Sequence, residues 1–192
     1  MTDPKLKPAD AIVVFADLQS EIVALPLTVD AGALRRSAAG LAKLAELFDM
    51  PTVVITMPKR DGGQAQVIPE VVSVRTNYRH FQRTTPDSFD NDLIRAALAE
   101  YSRPTLIVCG VATEIVVQWL ALSGRANGYQ VHLVTDACAG LSTRTEAAAL
   151  ARLTAAGVVM TSVVGLAGEL AGDMTRSPGK DAVDVIYTLL GE

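Results

Sequence analysis

The sequence predicts a doubly wound α/β fold, Rossmann-like, with a mostly parallel sheet between helices in a three-layer α/β/α arrangement. Two observations predict it. Short, continuous apolar runs read as strands buried on both faces, and longer amphipathic stretches between them read as crossover helices. The chain has 192 residues and 49% hydrophobic content, enough for one sizeable core and too apolar for disorder. A single domain over residues 1–192 is expected, with no internal repeat, low-complexity tract or linker.

The first strand is Ala11-Ile12-Val13-Val14-Phe15-Ala16, apolar throughout. Asp30 is placed to cap a helix whose Leu34, Ala38, Leu41, Leu44, Ala45 and Phe48 recur at three- and four-residue steps. Pro51 marks its end, and Thr52-Val53-Val54-Ile55-Thr56 is the second strand. The segment 58–69, with Lys59, Arg60, Asp61, Gly62 and Gly63, reads as a long functional or mobile loop. Asp87 or Ser88 opens a helix through Leu93, Ala97 and Leu98.

Thr105-Leu106-Ile107-Val108-Cys109 is the next strand, and Thr113 is placed to cap a helix through Val117, Leu120 and Leu122 that Ala126-Asn127-Gly128 ends. Residues 130–135 form a further strand, and Ser142 or Thr143 opens an Ala-rich helix to Ala156. Val158-Val159-Met160-Thr161 is the last strand, followed by helical segments around 166–170 and 182–190.

Composition removes several functions. Lys plus Arg is 17 and Asp plus Glu is 21, a net charge of −4 with no basic footprint for nucleic acid. Asp17, Glu114 and Gln118 break the longest apolar stretches, so no membrane span is expected. The start, Met1-Thr2-Asp3-Pro4-Lys5, lacks the pattern of a signal peptide. Two cysteines, Cys109 and Cys138, make no disulfide framework, and a cytoplasmic setting with reduced thiols is expected. His80 and His132 lie in no metal-ligand spacing, so neither a metal nor a cofactor is expected.

In such a fold the ligand site lies beyond the carboxyl ends of the strands. Asp17 directly follows an all-apolar strand; it is either a turn residue or an acid/base carboxylate. Gly110-Val111-Ala112-Thr113-Glu114-Ile115-Val116-Val117 is a strand end, a tight turn and a helix start, where backbone N–H groups can hold an oxyanion. Asp136 ends a third strand and reads as an anchor for the neighbouring loop. Trp119 and Tyr78 are candidate recognition groups, although a lone Trp on an amphipathic helix is more often core or subunit contact.

Four pieces in order carry a resemblance: Ile12 to Gln19; Cys109-Gly110-Val111-Ala112-Thr113-Glu114; Gly128-Tyr129-Gln130-Val131; and Val134-Thr135-Asp136-Ala137-Cys138-Ala139. Together they resemble the isochorismatase-like, or cysteine hydrolase, family over residues 10–172, and the stretch 160–170 is similar to a branch of small bacterial members. The resemblance implies a hydrolase working with an Asp base, a supporting Lys and an attacking Cys on a small amide, ureide or vinyl ether. It also implies a cis bond between Val111 and Ala112, and homo-oligomers.

Carried over residue by residue, the base position falls on Asp17, the Lys position on Arg83 and the Cys position on Val116. Ala112, Thr113 and Val116 supply the oxyanion turn. An isopropyl group cannot attack a carbonyl, and Arg83 stays protonated, so it can neutralise Asp17 but not shuttle its proton. Arg83 is expected to push the Asp17 pKa down. The readings are a Cys-independent hydrolase relying on Asp17, a non-catalytic oligomeric binding or scaffold protein, or a normal cysteine hydrolase carrying an engineered Val116.

Overall fold

The computed structural model describes residues 5–59 and 61–191. The start of the chain before Lys5 and the loop residue Arg60, both singled out above, lie outside the described residues.

Among the described residues, six parallel strands form one sheet in the order β3-β2-β1-β4-β5-β6. They are β1 (Ala11–Ala16), β2 (Thr52–Thr56), β3 (Arg79–Gln82), β4 (Thr105–Val111), β5 (Gln130–Ala139) and β6 (Val159–Thr161). The order reverses between β1 and β4. Asp17 and the turn after β4 stand past the carboxyl ends of these two strands, at the switch point where ligands bind in folds of this class.

The helices are α1 (Ser20–Val23), α2 (Ala31–Leu47), α3 (Pro69–Val72), α4 (Asp92–Glu100), α5 (Gln118–Ala126), α6 (Thr143–Ala155), α7 (Val163–Ala171) and α8 (Gly179–Leu190). They flank the sheet in a three-layer α/β/α arrangement, with α2, α7 and α8 packed together and α5 against α6. Every side chain of β1, β2 and β4 is buried, because sheet neighbours cover the edges and helices cover both faces. Phe15, Ile12, Leu41, Leu106 and Leu98 are among the largest core side chains. Truncating any one to Ala is expected to cost about 2–5 kcal/mol.

The caps account for the helix starts. Asp30 accepts from the Ala33 N–H at 2.9 Å, and Ser142 from that of Thr145 at 3.2 Å. Asp87 caps a short turn, Ser88–Asp90, while Asn91 caps α4 by accepting from Leu93. Asn127 and Gly128, the latter at φ 89°, close α5 as expected.

Four departures from the sequence reading have physical causes. β3 was not anticipated: it is an edge strand whose Arg79, His80, Phe81 and Gln82 alternate between half-buried and exposed, so no apolar run marks it. β5 runs on past Thr135 through a bulge, so Asp136 lies within the strand rather than after it. Thr113 does not cap the helix after β4. Ala112 holds that place, Val117 N–H reaches back to Ala112 O at 3.4 Å in a wide turn over Thr113–Val117, and α5 begins at Gln118. The loop 58–69 is partly ordered, with Ser20 N–H bonded to Gln66 O and Gln19 bridged to Val67.

Candidate functional site

The switch point between β1 and β4 is built by two close backbone approaches. Gly110 pairs with Ala16 across β1 and β4, and a Cβ there would stand 1.9 Å from Ala16 O. Only glycine fits, and its φ of 145° is one that L side chains rarely adopt. One residue beyond Ala16, Asp17 turns out of the sheet at φ 52° while its N–H stays bonded to Ile55 O at 2.8 Å. The Val111–Ala112 bond is cis, as the resemblance implied.

Arg83 leaves the end of β3 with its N–H on Thr56 O at 2.8 Å. Its guanidinium meets both oxygens of Asp17: Nε donates to Oδ1 at 3.3 Å and Nη2 to Oδ2. Nη1 donates to Thr85 O at 2.7 Å, so the fork is held from both sides. The side chains are 2% and 9% exposed for Asp17 and Arg83. The structure thus brings these two sequence-selected residues together as a buried ion pair.

Burial pushes the Asp17 carboxyl above its ordinary value, and the opposing pull of Arg83 and of the Met57 N–H does not reverse it. The sequence reading expected Arg83 to win and lower it. The desolvation of a nearly inaccessible carboxyl is the larger effect.

Val116 is buried in the turn after β4, beside Ala112 and Thr113, so all three turn residues lie together and none carries a thiol. Two carboxylates that sequence reasoning missed hold this turn. Thr113 Oγ1 donates to Glu146 Oε1 at 2.7 Å. Glu114 Oε1 accepts from the Leu141 N–H at 2.9 Å and from Thr145 Oγ1 at 2.6 Å. Burial raises the Glu114 pKa, but the Thr145 hydroxyl and backbone donors together outweigh it and hold the group below its ordinary value. The signal available was Glu146, an acid in the first turn of α6 and three residues after Thr143.

Cys109 lies in β4 and Cys138 in β5, both buried and free. Burial pushes both thiols up, Cys138 to about 12. Asp136 accepts from the Val163 N–H at 2.9 Å and anchors the start of α7, as its loop-tying role required. His80 Nε2 pairs with Thr56 Oγ1 at 2.9 Å on the edge of the sheet. Burial lowers the pKa of His80 and of His132.

Among the described residues, no group of three or more His, Cys, Asp or Glu is placed to hold a metal ion, and no helix is long and apolar enough to cross a membrane. Trp119 is 39% exposed, under the Arg152 guanidinium at 5.0 Å, and lines a cleft of about 290 Å³ with Pro86, Asp87 and Asp90. Tyr78 lies elsewhere, in a polar cleft of about 200 Å³ with Arg75 and Arg103.

The isochorismatase domain model matches residues 11–163. The chain belongs to the isochorismatase family. Among its relatives, the probable hydrolase YcaC of Escherichia coli is 29% identical over 176 residues, covering 90% of this chain and 84% of YcaC. Isochorismatase domain-containing protein 2 of Bos taurus is 30% identical over 148 residues, covering 75% of this chain and 68% of the relative. The crystal structure of E. coli YcaC, described as an octameric hydrolase of unknown specificity, superposes with a TM-score of 0.85 at 26% identity, covering 98% and 90% of the two chains. YcaC of Pseudomonas aeruginosa, solved with hexane-2,5-diol and covalent acrylamide, also gives 0.85 at 26% identity over the full length of both. The isochorismatase fold of this chain is therefore that of a YcaC-like hydrolase.

Proposed function

We propose that the chain is a non-catalytic member of the isochorismatase family, kept as a homo-oligomeric binding or scaffold protein. The observation that carries this reading is the closure of both Asp17 oxygens by Arg83, together with a valine, Val116, in the turn after β4. In this reading Asp17 holds the base position, Arg83 the supporting position and Val116 the position of the attacking sulfur. Valine has no lone pair to form a bond, and a guanidinium has no acceptor for a proton. The pair then persists because either charge alone in this interior is costly.

The P. aeruginosa YcaC holds acrylamide covalently. Adding a nucleophile to acrylamide needs an accessible thiolate or its equivalent. Here the two thiols are inside strands with their pKa pushed up. Octameric YcaC supports a homo-oligomeric reading for this chain. The two free cysteines fit a reducing, cytoplasmic compartment. Residues 1–192 then act as one domain with a small-molecule ligand, without metal, cofactor, nucleic acid or membrane.

One observation favours a second reading, a Cys-independent hydrolase of a vinyl ether, amide or ureide. Burial moves the Asp17 pKa upward, the direction a general acid requires. Turnover of an amide, ureide and vinyl-ether panel separates the two. The non-catalytic reading expects no turnover by the parent, and activity only after Val116→Cys with Arg83→Lys. Parent turnover that Asp17→Asn abolishes would establish the hydrolase instead.

A further inference from the structure

Five large apolar side chains, Leu25, Val29, Ile115, Trp119 and Leu141, are exposed by 36–49% of their surface. They sit on segments that hydrogen bonds tie together at the carboxyl end of the sheet. Thr28 and Gly140 exchange two bonds, Thr28 N–H to Gly140 O at 3.0 Å and Gly140 N–H to Thr28 Oγ1 at 2.9 Å. The Leu141 N–H then reaches Glu114, next to Ile115, and Trp119 follows one helical turn later. Apolar side chains scattered singly need no explanation, whereas a linked group of this kind marks a contact surface.

The charges on this face suggest its occupant. Pro86, Asp87, Asp90 and Trp119 line a concave cleft of about 290 Å³, its indole wall stacked under Arg152. Leu141 and Arg144 stand exposed at the entry to α6, on backbone that Glu114 fixes through Leu141 and Thr145. Asp90 and Arg144 are both exposed, and neither forms an ion pair with any described residue. One face thus bears an acidic, aromatic cleft and an apolar knob with a basic tip. A two-fold contact between identical chains requires such self-complementarity, because each copy must offer both halves.

We propose that this face is an interface between two copies of the chain, with Leu141 and Arg144 of each copy seated in the cleft of the other. The proposal rests on the homo-oligomeric reading above and names the surface that serves it. The apolar contacts supply the buried area. The pairing of Arg144 with Asp90 sets orientation and suppresses wrong registers.

Sedimentation velocity on the full chain tests it, with circular dichroism confirming that each variant is folded. The parent should sediment as a multiple of the 20.3 kDa chain. Asp90→Arg and Arg144→Glu should each weaken association at least tenfold, as should Leu141→Asp. The charge swap that combines Asp90→Arg with Arg144→Glu should restore it. A parent that sediments as a single chain overturns the homo-oligomeric reading and this proposal together. An oligomeric parent whose three single variants keep their mass overturns the interface and leaves the oligomer standing. Single variants that dissociate without rescue by the swap overturn the Asp90–Arg144 pairing.

Discussion

Arg83 closes both carboxylate oxygens of Asp17 from the end of a neighbouring strand, and a carbonyl at Thr85 holds the far side of its guanidinium. Both carboxylate oxygens are thus engaged by one guanidinium in the interior. A pair this deeply buried is held less by the net worth of the attraction than by the cost of stranding either partner.

Breaking the pair should therefore show strong non-additivity. Arg83→Met alone leaves a buried carboxylate without compensation and is expected to cost about 3–5 kcal/mol. Adding Asp17→Asn removes the stranded charge and should recover a large part of that loss. Urea unfolding of the parent, both single variants and the double variant measures the coupling. Additive losses would mean the two side chains do not depend on one another.

Gly110→Ala should fail to fold or lose more than about 4 kcal/mol. The new methyl would lie 1.9 Å from Ala16 O, and that oxygen belongs to the central strand of the core. Soluble yield and thermal melting read the effect. A variant melting within a few degrees of the parent would show that β1 and β4 can separate at no cost.

Glu114 gives a pH prediction of definite sign. Its carboxyl lies below the ordinary value of 4.5, because the combined donors of Thr145 and nearby backbone outweigh burial. A group whose folded pKa is depressed adds stability above its unfolded pKa and loses it as the pH falls through the folded one. Glu114→Gln should thus be less stable than the parent at neutral pH, with the gap narrowing below about 4.5. Unfolding midpoints from pH 3 to pH 7 follow it. A constant gap would remove Glu114 as the clamp on the turn.

The fold was most legible where burial is complete. β1, β2 and β4 are covered on both faces, so their sequence is apolar without interruption and reads directly as strand. β3 was illegible for the opposite reason, since an edge strand with one side open tolerates Arg79, His80 and Gln82. Thr135-Asp136 reads as a strand end because a half-buried carboxylate needs a partner; that partner, the Val163 N–H, comes from distant sequence.

Residue types and their order pointed to Asp17, Arg83, Ala112, Thr113 and Val116; of these the structure joins Asp17 to Arg83 and keeps the other three in one turn. The balance between burial and charge at Asp17 was not legible, because it depends on how completely the fold closes over it. The Glu114 and Glu146 contacts were also hidden, since they join segments 31 and 33 residues apart.

Intact-mass measurement after exposure of the native protein to acrylamide decides whether the fold presents a reactive thiol. The parent should gain no adduct, and unfolding should render Cys109 and Cys138 reactive. A single adduct on the native parent at either of those cysteines would give the fold an attacking sulfur and end the non-catalytic reading.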